Sequence, residues 1–168
     1  KGIGVDIWAT PDNIKGWELV LEDPDIPAES KEEIQKLVEK MKLQVNQNIN
    51  IVEDVIVSSL TPLLFPKNVV ILINEKCAST TEQFLLEARQ STKVTLMGQN
   101  TSGTLDYSNL RESNFCEMPY LLYAPTTRSR RIDIGEGIDG IGIKPAIYLN
   151  EKEDWIQEAL KFLNNKPL

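Results

Sequence analysis

The sequence contains no histidine, and that absence restricts its chemistry more than any residue present. Without an imidazole, neither a zinc site of the usual mixed kind nor a Ser-His-Asp triad assembled within these residues is expected. Cysteine is almost as scarce. Cys77 and Cys116 lie far apart and in no metal-ligand spacing, so no metal and no cofactor is expected, and a disulfide between them is open but unsupported. No apolar run approaches the ~20 residues of a membrane span, and no charged-then-apolar leader follows Lys1, so neither an anchor nor a signal peptide is expected here. Basic residues are too few for a phosphate-backbone partner: the net charge is −7. The one basic cluster is Arg128, Arg130 and Arg131; on a strand the first two share a face and the third points away, which reads as a local contact.

What is present suits one domain with a real core, or one large piece of a longer protein: 168 residues, 41% of them hydrophobic. The chain is organised around Asn74 to Glu82, Asn-Glu-Lys-Cys-Ala-Ser-Thr-Thr-Glu. Val69 to Ile73 before it reads as a strand buried on both faces. From Thr80 the pattern turns helical, with Phe84, Leu85 and Ala88 at helical spacing and Glu82 and Glu87 on other faces. Ser79 or Thr80 sits at the N-cap, and Glu82 completes a capping box with Ser79. A serine at such a corner meets the unpaired amides and positive dipole end of a helix, which could stabilise an oxyanion. The same residue could simply be a cap, since capping serines are common.

Gly2 to Trp8 alternates as a strand does and is ended by Thr10-Pro11-Asp12-Asn13. A short helix over Ile14 to Leu21 is broken by the Asp23 to Pro27 stretch. Ser30 and Glu33 form a capping box for a longer amphipathic helix, Lys31 to about Asn46, with Ile34, Leu37, Val38, Met41 and Val45 on one stripe. Residues 10–50 thus read as a helical insertion. Ile51 to Leu60 is ambiguous between helix and strand. Lys93 to Met97 is another buried strand, followed by the loop Gly98-Gln99-Asn100-Thr101-Ser102-Gly103. That loop resembles the start of a Walker loop, but Thr104 occupies the place of the phosphate-binding lysine, which excludes nucleotide binding of that kind. Asn100-Thr101-Ser102 also matches a glycosylation sequon. Phe115 to Tyr123 and Thr126 to Ile134 read as paired extended segments around Ala124-Pro125, and Gly135 to Gly140 as a glycine-rich loop. Ile147 to Leu149 is a short strand, and Asp154 to Leu163 a closing amphipathic helix. Strands and helices alternate without an internal repeat, so the class is α/β.

The run Ile71-Leu72-Ile73-Asn74 with Cys77-Ala78-Ser79-Thr80-Thr81-Glu82, then Gly98 to Gly103 after a strand, then Gly142-Ile143-Lys144-Pro145 before Ile147, resembles the S41 peptidases, the family of tail-specific or C-terminal processing peptidases and tricorn-like proteases. The resemblance covers roughly residues 68–149. It implies a ClpP/crotonase-like fold of stacked ββα units, a peptide or protein substrate, and residence in the cell envelope, the periplasm or outside the cell. In that family the serine of a Thr-Ala-Ser-Ala-Ser-Glu-like stretch is the nucleophile, which falls on Ser79. The processing peptidases take their base lysine from the segment after the Gly-rich loop, where this chain has Thr104. The tricorn-like branch uses a Ser-His-Ser-Glu tetrad, and Glu136 is the best-placed candidate for its glutamate. The segment Asp-x-Arg-x-Asn-x-Gly-Gly, which lends oxyanion donors in the family, does not occur, and Ala146 stands where the family has an acid.

A serine hydroxyl needs an adjacent base to attack a carbonyl at neutral pH. The expected arrangement is therefore a partial S41-like catalytic domain over 1–168: Ser79 as nucleophile, Thr80 N–H as oxyanion donor, Gly103 and Thr104 beside the bound peptide, and Glu136 orienting a base from upstream of Lys1. Two rivals remain open. One is a peptide- or ligand-binding module that kept the fold and lost the chemistry; the other makes Cys77 the nucleophile, although a cysteine at the end of a buried strand is more often inert core.

Overall fold

The computed structural model describes residues 1–57, 63–114 and 119–166. In chain order its elements are β1 (Val5–Trp8), α1 (Pro11–Glu22), α2 (Ala28–Leu43), β2 (Asn48–Val52), β3 (Val69–Ile73), α3 (Thr80–Ala88), β4 (Val94–Gly98), β5 (Tyr107–Asn114), β6 (Leu121–Ser129), β7 (Ile147–Tyr148) and α4 (Trp155–Asn165). A 3₁₀ turn over Arg130–Ile134 follows β6. The chain divides into two compact units: Lys1–Gly2, Val55–Asp106 and Gly135–Leu168 form one, and Ile3–Asp54 with Tyr107–Ile134 the other. The class is α/β, and no described helix is long and apolar enough to cross a membrane.

The first unit carries a parallel sheet in the order β3-β4-β7. Parallel neighbours need a crossover, and α3 supplies it between β3 and β4, which pair in register from Val69 with Val94 to Ile73 with Gly98. Ile73, Leu85, Leu86, Leu96, Ile138 and Ile143 form its core, with Cys77 packed against them. Burying side chains of this size stabilises by about 1.5–3 kcal/mol each before entropy is counted. Two expectations are corrected here. β3 is not buried on both faces, because only Ile73 is fully buried in it. In α3 it is Leu85 and Leu86 that face the core while Phe84 is exposed, and Glu82, expected on another face, is completely buried.

The second unit holds the antiparallel sheet β2-β1-β6-β5. Its core of Ile7, Ala9, Ile14, Val38, Met41 and Ile49 joins one face of that sheet to α1 and α2. Thr10 caps α1 by accepting from Asn13 N–H, with Pro11 in the first turn where a missing N–H costs nothing. α2 begins earlier than its sequence signal: Pro27 is the N-cap and Ser30 lies inside the helix, so the Ser30–Glu33 box does not form its start. β2 settles the first part of the ambiguous 51–60 stretch as strand; the remainder from Ser58 lies outside the described residues.

The hairpin is shifted from the expected register. β5 pairs with β6 from Tyr107 with Arg128 to Asn114 with Leu121, so Pro125 sits within β6, opposite Leu110. β1 reaches β6 only at Thr127, Arg128 and Ser129, so at Pro125 β6 pairs with β5 alone among the described residues and is an edge there, a position where a sheet tolerates proline. Of the basic cluster, Arg128 pairs with Asp133, Arg130 pairs with Asp6, and Arg131 is buried. Arg130 and Arg131 lie in the 3₁₀ turn, so the expected strand faces do not apply to them, and the partner of Arg130 comes from β1.

Candidate active site

β3 delivers the chain at its C-terminal end to a corner, residues 74–79, that α3 then leaves. Ser79 is the N-cap, exposed, with φ 53° and ψ −120°. Asn46 and Asn109 also have positive φ, but asparagine visits that region readily. A serine there costs on the order of 1–3 kcal/mol and persists only where its surroundings over-determine it.

Those surroundings converge on Glu82. Its carboxylate is 0% exposed and accepts four hydrogen bonds. Oε2 takes Ser79 N–H at 3.0 Å and Thr104 N–H at 2.9 Å; Oε1 takes the Thr101 hydroxyl at 2.5 Å and Gly103 N–H at 2.7 Å. The capping box legible in the sequence is therefore one arm of a larger junction that joins the serine corner to the 99–104 loop. Further backbone bonds tie the same loop down: Gln99 N–H donates to Ile73 O at 2.8 Å and Ser102 N–H to Cys77 O at 2.9 Å.

A second loop, residues 135–143, is stitched to the first. The Thr101 hydroxyl accepts Ile143 N–H at 2.7 Å, Thr101 N–H donates to Ile143 O at 3.2 Å, and Gly140 N–H donates to Gly103 O at 2.9 Å. Gly103, at φ +71°, is obligatory, because a Cβ there would stand 2.6 Å from Gly142 N and 2.7 Å from Ile138 O. The buried Asp106 accepts Ile138 N–H and Asp139 N–H, and Asp139 accepts Leu105 N–H and Asp106 N–H. Thr101, in the middle of the sequon-like triplet, is buried in this network.

Crevices open where the parallel strands end, the usual ligand position in such sheets. One of about 820 Å³ is lined by Gln99, Asn100, Tyr148 and Leu149–Lys152. Another, of about 460 Å³, runs from Asn74 and Glu75 past Gln99 to Trp155.

Ser79, Thr80, Gly103 and Thr104 thus belong to one junction. Thr80 opens α3, so its N–H is among the helix's unpaired N-terminal donors. The amides of Gly103 and Thr104 are already engaged by Glu82, and the exposed Thr104 hydroxyl donates to Ser102 Oγ at 3.5 Å. Glu136 is not drawn into the junction: it lies exposed on the 135–143 loop with Lys1 Nζ 3.9 Å from its carboxylate, a surface pair of little energetic weight. Cys77 is a free thiol, half-buried against the core; Cys116, and with it the question of their pairing, lies outside the described residues. Glu82 and Asp106 were missed from the sequence. Glu82 carried a signal, the capping-box position; Asp106 carried none.

Residues 23–149, well over half the chain and including Ser79 and the whole 99–143 network, match the family model for peptidase family S41. By class, then, this is a peptidase fold. The chain belongs to peptidase family S41. Among solved structures it is similar to a serine-to-alanine mutant of CPAF (TM-score 0.56, 16% identity, 99% of this chain and 38% of that one). It is likewise similar to mature CPAF complexed with lactacystin (TM-score 0.51, 16% identity, 88% and 33%). A candidate peptidase of Parabacteroides merdae aligns with 20% identity over 67% of this chain and 32% of that one, at a TM-score of 0.43. The chain therefore spans about a third of the length of each of these structures. No curated protein matches it.

Proposed function

We propose that this chain carries the nucleophile of a serine peptidase that cleaves peptide bonds through an acyl-enzyme on Ser79. The observation that carries the reading is the serine itself, exposed at the N-terminus of α3 and held at φ 53° and ψ −120° by a buried carboxylate, in a chain of a peptidase family. A strained serine between a strand and a helix presents its hydroxyl to substrate and the next amide to the developing oxyanion. Ser79 Oγ attacks the peptide carbonyl and its proton passes to a base. The tetrahedral oxyanion is held by Thr80 N–H; collapse expels the amine, which takes the proton back, and water then releases the acyl group. The base comes from a segment outside these 168 residues, because the sequence has no histidine and Thr104 stands at the family's lysine position. Glu136 would orient that base, and the peptide would lie beside the 98–104 loop.

The test is labelling of the full-length protein with a serine-directed fluorophosphonate, with lactacystin, the molecule held by mature CPAF, as a second probe. Labelling lost in Ser79→Ala supports the reading. Labelling that survives Ser79→Ala defeats it, and absence of both labelling and turnover in the full-length protein favours the binding module.

A further inference from the structure

We infer that Glu82 is the positioning residue of this site: one buried carboxylate holds Ser79 in its reactive backbone conformation and fixes the 101–104 loop beside it. The inference rests on the reading of Ser79 as nucleophile. Capping alone would need only the bond to Ser79 N–H and would leave the side chain in water at the helix end. Instead Glu82 is 0% exposed, and its other three bonds all go to the loop, at Thr101, Gly103 and Thr104.

The chemistry of the four donors specifies the residue. Both oxygens accept two hydrogen bonds each, so the position requires acceptors on both sides of the carbon. Glutamine supplies one, and turns an NH₂ toward two donors in the other place. Aspartate keeps both acceptors but cannot reach all four donors from the same helix position.

One consequence is a division of labour among the amides. Ser79, Gly103 and Thr104 N–H are held by Glu82 and so are not available to an oxyanion, which leaves Thr80 N–H as the donor from this corner. When Glu82 lets go, the serine is free to relax to an ordinary negative φ, which turns its hydroxyl and the Thr80 amide away from a common target.

The experiment compares the second-order rate of fluorophosphonate labelling in the full-length protein for wild type, Glu82→Gln, Glu82→Asp and Leu85→Ala, with the melting temperature of each. Leu85→Ala removes core on the same helix without touching the corner, and so reports what destabilisation alone does. The expected result is a rate lowered about 100-fold or more in Glu82→Gln, the scale of losing a preorganised donor, and less in Glu82→Asp. Leu85→Ala should stay within about threefold of wild type wherever it is folded, and peptide turnover in the Glu82 variants should fall in kcat with KM nearly unchanged. If Glu82→Gln does not fold, Glu82→Asp carries the comparison: slower labelling than Leu85→Ala at equal folded fraction upholds the role, and an equal rate overturns it. Ser79→Ala separates the two claims. Labelling that persists there removes the serine reading itself, whereas labelling lost there but undiminished in the Glu82 variants removes only the role of Glu82.

Discussion

Asp106 and Asp139 each accept the other's backbone N–H: Asp106 N–H donates to Asp139 Oδ1 at 2.7 Å, and Asp139 N–H to Asp106 Oδ2 at 2.9 Å. The pair closes a clamp between the end of the 99–106 loop and the 135–143 loop. Asp106 also takes the N–H of Ile138, a buried core residue. Asp106→Ala should therefore destabilise by roughly 1–3 kcal/mol, the cost of orphaning a buried donor. Urea or thermal unfolding measures it, and an unchanged midpoint would show that the clamp is ornamental.

Two glycines separate backbone strain from steric obstruction. Gly103 and Gly140 both have positive φ, but a Cβ on Gly103 would strike Gly142 and Ile138 backbone atoms, whereas a Cβ on Gly140 meets nothing within 4 Å. Gly140→Ala should lose about 1 kcal/mol from strain alone. Gly103→Ala should lose clearly more, and it should slow labelling of Ser79 because Gly103 N–H is one of the four donors on Glu82. Equal losses in the two variants would refute the close approach of the loops.

The Cys77 alternative is testable in one variant. Its thiol packs half-buried against the core below the corner, while Ser79 is exposed above it. Cys77→Ala should leave fluorophosphonate labelling and peptide turnover of the full-length protein within about threefold of wild type, at a modest cost in stability. Activity abolished in a folded Cys77→Ala would move the nucleophile two residues upstream.

In the second unit, the hydrogen bond from Arg128 holds the Asp133 carboxyl below its usual 3.8. A depressed folded-state pKa means that the contribution of this pair is fully present above the ordinary aspartate range and is lost as pH falls through the lowered value. Asp133 is exposed, so the effect belongs to local order of the 3₁₀ turn. A carboxyl NMR titration should find Asp133 below typical aspartates in the native protein and back among them in Arg128→Gln; a titration unmoved by that substitution would contradict the pairing.

The places where sequence reading stopped short share a cause. The hairpin was placed too late because Ala124-Pro125 looks like a turn. Its place inside β6 depends on how far β1 extends along that strand, which no local pattern encodes. The start of α2 was read from a capping box at Ser30, yet Pro27 already fixes a backbone angle from which a helix can begin. Glu82 was read as a capping-box acid on a face other than the apolar one, because helical periodicity knows only its own helix. What buries it is a loop roughly twenty residues downstream.

By itself, the sequence determined the α/β alternation, the strand at 69–73, the serine corner, the glycine-rich loops and the family resemblance they carry. All of these are written in near neighbours: β-branched runs, a cap, turn residues at fixed spacing. Only the tertiary structure decided the conformation of the corner. Ser79 is legible from its neighbours as a cap, but no local pattern encodes its φ of 53°. That conformation is sustained by donors and acceptors from residues 82, 101, 103 and 104 meeting around one carboxylate. Such strain costs free energy wherever it occurs, and here the acid that offsets it is itself held by contacts from a loop distant in the chain.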